Sequence, residues 1–512
     1  MPDKVLVTNN SALSTKYGAN KQTIDSAIQT LISADSGRGL QTVVIAVDDA
    51  TAMSNVGGSA VASATDQPSN KAAVDAIYKS QNPDYIVLLG GPDVMPHIDL
   101  TNPAADGNND PDTVVPSDLP YACDAAYSMN IGDFVGPTRV VSRITDITAG
   151  SDANYLAQVI NDSCTTSPAD PSNYSTYLGV TAAVWAQSTQ LSLQAIFGNS
   201  NALQQVPPST YQWTSAQLGA LSHYFNCHGS SSDSHFYGQQ GSNYPVAHDA
   251  AFVNGKISAG TVLAAECCYG AQLYDPASAS GQMCMANTYV GQGAWAYLGS
   301  TTIAYGPSDS NANADLICQY FFQEMLKGES VGEALLHARQ RYVQNTPNMG
   351  PTDLKTLAQF ILLADASTHV VSVPTPVGDA NAKFMPSVAG ALAGLTGQWR
   401  KQRRMAAAEL GAFLKASKAV AGQKQVLNIG DLPDAVKALV DRAGFANPSA
   451  LSFAVQLPSL RPHTNSGAPD ISAFHLIFDQ GANRGPHGAA RRVLEIQTSN
   501  GNVLGAKELY TR

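Results

Sequence analysis

The chain contains 512 residues, too many for one hydrophobic core, since domains usually hold about 50 to 250 residues. Only 13% of the residues are charged and the formal net charge is −11, so no concentrated basic face is available for nucleic-acid phosphates. No run approaches the roughly 18 apolar residues that span a bilayer. We therefore expect two or three packed units, with neither nucleic acid nor membrane as a partner. The short basic cluster at 400–404 is interpreted as a solvated helix face.

The cysteines predict a reducing environment. Their number, seven, is odd, and their irregular spacing differs from the disulfide framework of a small secreted domain. The amino terminus, MPDKVLVTNN, has no basic segment followed by an apolar one. Both features predict a cytoplasmic location. The alternative is an exported protein from which the leader has been removed.

Residues 1–150 alternate apolar runs with helical patterns, which is typical of a parallel sheet covered by helices. The predicted strands lie near 5–7, 43–47 and 85–89, and the predicted helices near 24–31 and 72–78. The third strand ends in the turn Gly-Gly-Pro-Asp at 90–93, and a loop rich in Asn, Asp and Pro follows at 101–118. This block is predicted to be an N-terminal α/β subdomain.

Residues 151–370 repeat the alternation and are predicted to form a second, catalytic α/β subdomain. A helix is expected near 155–160, strands near 178–185, 221–225, 262–265, 294–298 and 360–363, and helices near 312–327 and 331–344. Three prolines interrupt residues 371–387, which we interpret as a linker.

Residues 388–512 are predicted to be a separate C-terminal α+β domain. Helices are expected near 388–421 and 432–442, and strands near 452–455, 473–478 and 493–496. No chemical motif is recognised there, so a regulatory or partner-binding role is the expectation.

Two strand-end motifs carry the functional prediction. One apolar run, LSHYFNCHGS at 221–230, stops at His228-Gly229, and another, TVLAAECCYG at 261–270, stops at Cys267. In an open α/β sheet the carboxyl ends of the strands line one crevice, so both motifs should point their polar groups into it. An imidazole beside a thiol is the usual means of activating a sulfur nucleophile. The sequence therefore predicts a Cys-His pair, with the N–H groups of Gly229 and Cys267 as oxyanion donors.

The order of these motifs resembles the caspase-like clan of cysteine peptidases, and most closely its gingipain-like family. PDYIVLLGGPDVMP, SDLPYACD and TRVVSRIT resemble the family's early strands, HYFNCHGSS and AAECCYG its catalytic positions, and GAWAYLGSTTIAYG and FILLADAST its last strands. The resemblance covers about residues 1–370. It implies a three-layer α/β sandwich with mostly parallel sheets in two tandem subdomains.

The resemblance also implies site residues. His228 becomes the general acid/base, Cys267 the nucleophile and Gly229 an oxyanion donor. Gly270, three residues after Cys267, fits the family spacing, whereas the two-residue spacing of caspases would select Cys268, so both thiols stay open.

The chain departs from the family after the strand that ends near Trp185. Arginine-cleaving members carry an acidic substrate-binding residue there, but this chain has Gln187, Ser188, Thr189 and Gln190. We therefore predict an uncharged substrate pocket, with Asp309 as one candidate acid should basic residues be cleaved. The acid that orients the catalytic His is also replaced, with Gln187 as the candidate substitute.

Metal binding is the weaker interpretation of two clusters. Cys227, His228, Cys267 and Cys268 suggest a zinc site, but adjacent cysteines at a strand end point to opposite sides. Asp106, Asn108, Asp110 and Asp112 alternate as calcium ligands do, yet Pro111 stands where a calcium loop needs Gly, and a solvated loop is favoured. No metal and no cofactor is expected.

These features predict a cysteine endopeptidase that cleaves protein or peptide substrates through a thioester. Two alternatives stay open: a caspase-like scaffold that has lost catalysis, and a thiol-dependent transpeptidase.

Overall fold

The computed structural model describes residues 1–105, 110–346, 349–372, 405–411, 425–427, 431–442, 452–456, 471–485, 488–499 and 502–512. Up to residue 372 the strands are β1 (Lys4–Thr8), β2 (Thr42–Ala46), β3 (Tyr85–Leu89), β4 (Ile98–Thr101), β5 (Val114–Ser117), β6 (Val140–Ile144), β7 (Tyr177–Ala182), β8 (Leu203–Val206), β9 (Ser222–Asn226), β10 (His235–Tyr237), β11 (Val246–Asp249), β12 (Val262–Ala265), β13 (Ala296–Ser300), β14 (Tyr305–Gly306) and β15 (Phe360–Ala364).

The helices of the same part are α1 (Asn10–Tyr17), α2 (Lys21–Gly37), α3 (Ala50–Asn55), α4 (Gln67–Gln81), α5 (Ala153–Cys164), α6 (Ala186–Phe197), α7 (Ser215–Leu218), α8 (Ala250–Val253), α9 (Met285–Val290), α10 (Ala314–Leu326), α11 (Val331–Asn345) and α12 (Pro351–Gln359). Every strand and helix predicted from the apolar patterns of this part is present. Among the described helices, none is long and apolar enough to cross a membrane.

One large sheet joins the two predicted α/β blocks. Its ten strands lie in the order β2-β1-β3-β6-β15-β13-β12-β9-β7-β8. All neighbours are parallel except β13 and β15, and the blocks meet where β15 pairs with β6. The predicted mixed α/β fold with mostly parallel strands is confirmed. The strands β3, β12 and β15 are buried along their whole length, as their continuous apolar runs predict.

Buried charges in this core are paired. The ammonium group of Lys4, on β1, lies 2.5 Å from Asp35 and 2.6 Å from Asp365, and all three side chains are buried. Removing one partner of a buried ion pair costs about 3 to 5 kcal/mol, because it leaves an uncompensated charge in the core. This cluster therefore fixes β1 against α2 and the end of β15.

A second sheet contains the C-terminal strands. They are β16 (Gln425–Leu427), β17 (Ser452–Gln456), β18 (Ile471–Gly485), β19 (Gly488–Ser499) and β20 (Asn502–Thr511), with the helix α13 (Asp434–Arg442). The sheet order is β14-β20-β19-β18-β17-β16, so β20 pairs with β14 of the first part. Residues 405–411 are helical, within the helix predicted near 388–421. The rest of that helix and nearly all of the predicted linker lie outside the described residues.

A chain of buried rings fixes β9, which carries the first motif. Trp213 donates to Nδ1 of His248 (3.0 Å), so the His248 proton is on Nε2, facing the Tyr289 hydroxyl (2.8 Å). That hydroxyl lies 2.9 Å from Nδ1 of His223. Burial lowers the pKa of His223 to about 4 and that of His248 well below its usual value. Both rings are therefore neutral in the folded protein at neutral pH.

We expect the free energy of unfolding to fall as the pH is lowered from about 6.5 to about 4. In this range the histidines of the unfolded chain become protonated, whereas the buried rings of the folded chain stay neutral. His223 alone should contribute a loss of about 3 kcal/mol over this window. Urea unfolding at a series of pH values measures the slope. His223→Gln should flatten it, and an unchanged slope in that variant would contradict the assignment.

Candidate active site

The two predicted motifs lie side by side. The strands β9 and β12 are parallel neighbours with Phe225 opposite Ala265, and the N–H of Glu266 donates to the Phe225 carbonyl (2.8 Å). The turns that follow are in direct contact, since a Cβ added to Gly229 would lie 1.8 Å from the Cys268 carbonyl oxygen. Only glycine allows this approach. The predicted convergence of His228-Gly229 with the Cys-Cys turn is therefore present.

The side chains of the two turns alternate between opposite faces of the sheet. The hydroxyl of Tyr224 bonds to Glu266 on one face, and the thiol of Cys267 is hydrogen-bonded to that of Cys227 on the other. Both motifs continue toward the face of Tyr224 and Glu266. The His228 ring lies 4.4 Å from the Trp185 ring, which the Arg512 guanidinium also contacts, and the Cys268 N–H donates to the main-chain oxygen of Arg512.

Cys267 points into the core. Its side chain is fully buried, and burial, followed by the neighbouring Cys227 thiol, raises its pKa well above the usual range. The Cys227 thiol in turn contacts the carbonyl of Val180 on β7 (3.7 Å). A thiol in this position is typical of a buried apolar residue.

Cys268 lies beside Ala304. Its sulfur accepts from the Ala304 N–H (3.3 Å) and contacts the Ala304 carbonyl (3.6 Å). Burial raises the pKa of this thiol to about 12, so it is protonated at neutral pH. The main-chain N–H of Cys268 donates to the main-chain oxygen of Arg512, the last residue of the sequence (3.1 Å).

The imidazole of His228 is held by Gln239. Nε2 of the ring lies 2.7 Å from the Gln239 side-chain oxygen, an atom that can only accept, so Nε2 carries a proton. The Gln239 amide is itself fixed, because its nitrogen donates to the Gly241 carbonyl (3.0 Å) and to the Tyr244 hydroxyl (2.9 Å). In a neutral ring Nδ1 is then the basic nitrogen. The rings of Trp185 and Tyr244 lie 4.4 Å and 5.2 Å from the His228 ring.

The prediction that Gln187 orients His228 is wrong. Gln187 is exposed, and its amide donates to the main-chain oxygen of Asp309 (3.0 Å). It lies in the first turn of α6, and its amide is bound to Asp309 rather than to the imidazole. The orienting amide comes instead from Gln239, after β10.

An acidic pocket lies on the His228 face of the sheet and holds the Arg512 side chain, which is only 1% exposed. The carboxylate of Glu266 bonds to the guanidinium, and Asp315 binds it with both oxygens, at 2.9 Å and 3.2 Å. Further contacts come from Asn226 (2.7 Å), the Pro307 carbonyl (2.8 Å), Ser188 (3.5 Å) and the Trp185 ring (5.3 Å to its centre).

The charges in this pocket depend on one another. Burial raises the pKa of Glu266 well above its usual value, and it also raises that of Asp315, while Arg512 opposes both shifts. Burial alone would lower the pKa of Arg512, but Asp315 and Glu266 outweigh it and raise the pKa. The cation therefore counteracts, without cancelling, the burial that raises the pKa of both carboxyl groups.

The backbone of Arg512 is bound as an extended strand. Its N–H donates to the Ala304 carbonyl (3.1 Å), and the preceding Thr511 and Tyr510 lie opposite Tyr305 and Gly306 in antiparallel register. The segment 510–512 therefore adds a strand to β14 and ends with its main-chain oxygen at Cys268.

Of the predicted substrate-binding residues, Ser188 and Thr189 reach the acidic pocket, while Gln187 and Gln190 are exposed. The Asn226 amide donates to Thr189 (2.9 Å) and to Ser188 (3.3 Å), which turns its oxygen toward Arg512. The sequence interpretation missed Glu266 and Asp315. Glu266 carried a usable signal, since a carboxylate that ends a buried apolar run needs a partner.

The weak metal interpretations gain no support from the described residues, in which no group of His, Cys, Asp and Glu side chains is arranged to hold an ion. Of the suggested calcium ligands, Asp106 and Asn108 lie outside the described residues. Asp110 and Asp112 lie 2.5 Å and 3.4 Å from the buried ammonium group of Lys355. These two carboxylates are therefore paired with a cation of the chain itself.

The doubly covered α/β sheet, with an imidazole and a thiol at the ends of neighbouring strands, indicates a caspase-like cysteine peptidase. Residues 2–371 match the sequence model of peptidase family C25, and the chain belongs to this family. The predicted class, a cysteine peptidase of the gingipain-like kind, is thereby confirmed.

Two solved structures resemble the whole chain. One is a protease, with 14% identity and a TM-score of 0.47, matched over 100% of this chain and 97% of that one. The other is the complex of the pro- and mature domains of RgpB from Porphyromonas gingivalis, with 11% identity and a TM-score of 0.49, matched over 99% of each chain. No curated protein sequence is significantly similar to the chain.

Proposed function

We propose that this cysteine peptidase is an endopeptidase that cleaves after basic residues, arginine above all, with Cys268 as nucleophile and His228 as general acid/base. The observation that carries the proposal is the position of Arg512. Its guanidinium is bound by two carboxylates, its backbone is paired with Ala304, and its main-chain oxygen accepts from the Cys268 N–H. A substrate arginine before a scissile bond would make the same contacts.

The choice of Cys268 over Cys267 is supported by the contacts of the two thiols. The Cys268 thiol and the Arg512 N–H share one acceptor, the Ala304 carbonyl, so the sulfur lies beside the backbone of the bound residue. Cys267 faces Cys227 on the opposite side. The motif spacing favours Cys267, but a nucleophile has to reach the carbonyl carbon, and of the two thiols Cys268 is the one whose contacts are shared with Arg512.

The chemical step needs the imidazole, because the resting Cys268 thiol is protonated. His228 takes the thiol proton as sulfur attacks the carbonyl carbon, and it then gives that proton to the leaving amine as the C–N bond breaks. Water cleaves the resulting thioester and restores the thiol. The N–H of Cys268 stabilises the oxyanion, and Gly229 is the proposed second donor.

The preference for arginine follows from the shape of the pocket. Asp315 offers both oxygens and Glu266 adds a second carboxylate, an arrangement that suits a planar guanidinium better than a single ammonium group. This proposal replaces the uncharged pocket predicted from Gln187, Ser188, Thr189 and Gln190. The acids come from Glu266 and Asp315 rather than from the exposed Asp309.

A cleavage profile on a peptide library tests the proposal, with arginine expected on the acyl side of the cut bonds. An arginyl chloromethyl ketone should label Cys268, as mass spectrometry of tryptic peptides would show. Absence of both cleavage and labelling would favour the scaffold alternative, and transfer of the acyl group to an added amine would favour the transpeptidase. The predicted cytoplasmic location stays a prediction.

We expect His228→Ala to lower kcat by at least about 10²-fold, since a positioned general acid/base contributes this much or more. Gln239→Ala should lower kcat less, because it removes only the bond that holds the ring. Hydrolysis of an arginine peptide amide measures both. A His228→Ala enzyme as active as the wild type would exclude the imidazole from the mechanism.

A further inference from the structure

The end of β20 lies in the candidate active site. The extended segment 510–512 follows the edge strand β14, and the Arg512 side chain fills the acidic pocket. A substrate strand that placed an arginine between Glu266 and Asp315 would need the same pocket and the same Ala304 carbonyl. The segment 510–512 and a substrate therefore exclude one another.

Contacts outside the pocket hold this strand in place. The ammonium group of Lys507 binds the buried carboxylate of Asp353 (2.7 Å), and Leu509 packs against Tyr305 and Val493 in a small apolar cluster. The second sheet is thus docked on the catalytic part independently of Arg512. Because the docked sheet keeps Arg512 close to the pocket, the local concentration of this side chain at the pocket is high.

We propose that the segment 510–512 is an internal inhibitor, which blocks the substrate-binding cleft until it detaches from β14. The inference rests on the proposed function, because it takes the acidic pocket to be the arginine site of the substrate. An attached segment competes at an effective concentration in the millimolar range, so a substrate at micromolar concentration is displaced. Only the short pairing with β14 and the pocket contacts must break, so the site opens without unfolding the sheet.

The test compares the wild-type chain with Arg512→Gln, using a fluorogenic amide with arginine on its acyl side. Because the segment competes with substrate, the variant should show kcat/KM raised by at least about tenfold through a lower KM, with kcat changed little. The control is Lys327→Gln, whose side chain is 62% exposed and contacts the surface residue Glu324, and it should behave as the wild type does. A peptide with the sequence of residues 508–512 should inhibit Arg512→Gln competitively, and the same peptide ending in Gln should not.

The outcomes separate the two proposals. Equal kcat/KM for the wild type and Arg512→Gln, with clear hydrolysis by both, would overturn the internal inhibitor and leave the peptidase standing. Folded proteins that neither hydrolyse nor react with the chloromethyl ketone would overturn the proposed function instead. Should circular dichroism show that Arg512→Gln is unfolded, Lys507→Gln serves the same purpose, because it weakens strand docking and leaves the pocket intact. An unchanged kcat/KM in that variant would also overturn the inhibitor.

Discussion

Replacing Cys268 with alanine is expected to abolish hydrolysis of arginine peptides, with a loss on the order of 10³-fold or more, whereas Cys267→Ala should keep most of it. The reason lies in the contacts of the two residues after β12: Cys268 lies beside the bound strand, whereas the Cys267 thiol is hydrogen-bonded to Cys227. The measurement is kcat/KM for both variants, with labelling by the chloromethyl ketone as a second readout.

The Cys267→Ala variant is also the matched control for folding, since it removes a fully buried thiol one residue away. Loss of a buried sulfur leaves a small cavity and should cost stability rather than chemistry, about 1 to 2 kcal/mol. If Cys267→Ala were inactive and well folded while Cys268→Ala stayed active, the nucleophile would be Cys267, as the motif spacing favours.

The sequence was sufficient to predict the positions of the two strands that carry the candidate catalytic residues. The runs before His228 and Cys267 are apolar throughout and end abruptly in polar residues, and β9 and β12 form where they were expected. Parallel pairing of these strands then brings their ends together without further information. Local patterns were therefore enough to predict the position of the crevice.

Motif spacing alone does not decide between Cys267 and Cys268, because a spacing rule carries no information on which way each side chain points. The pairing of the strands carries part of this information. Because Phe225 lies opposite Ala265, Asn226 continues the register opposite Glu266, and His228 opposite Cys268. The acidic pocket was harder to predict. Arg512 lies 246 residues from Glu266 and 197 from Asp315, and the strand that receives it, β14, is only two residues long. No local pattern links groups so far apart.

Neutralising the acidic pocket is expected to change what the enzyme cleaves. Glu266→Gln and Asp315→Asn keep the size of each side chain but remove the charge that faces a buried guanidinium. Removing one partner of a buried ion pair costs about 3 kcal/mol or more, so the preference for arginine over an uncharged analogue should fall roughly 10²-fold in each variant. The value of kcat/KM itself is a poorer measure, because the same change also weakens the binding of Arg512. The best measure is the ratio of kcat/KM for an arginine peptide to that for its uncharged citrulline analogue, because occupancy by Arg512 affects both substrates alike.

The same ratio should depend on pH in the wild type. Burial raises the pKa of both Glu266 and Asp315 and Arg512 lowers it, so an incoming arginine that takes the place of Arg512 binds best to the deprotonated pair. The preference for arginine over citrulline should therefore rise as the pH increases through the raised pKa of the pair, and it should flatten in Glu266→Gln. Asp309→Asn, a change at an exposed carboxylate near the cleft, should alter the ratio by less than about twofold. A ratio that is the same in the wild type, Glu266→Gln and Asp315→Asn would mean that these carboxylates bind Arg512 alone and do not select the substrate.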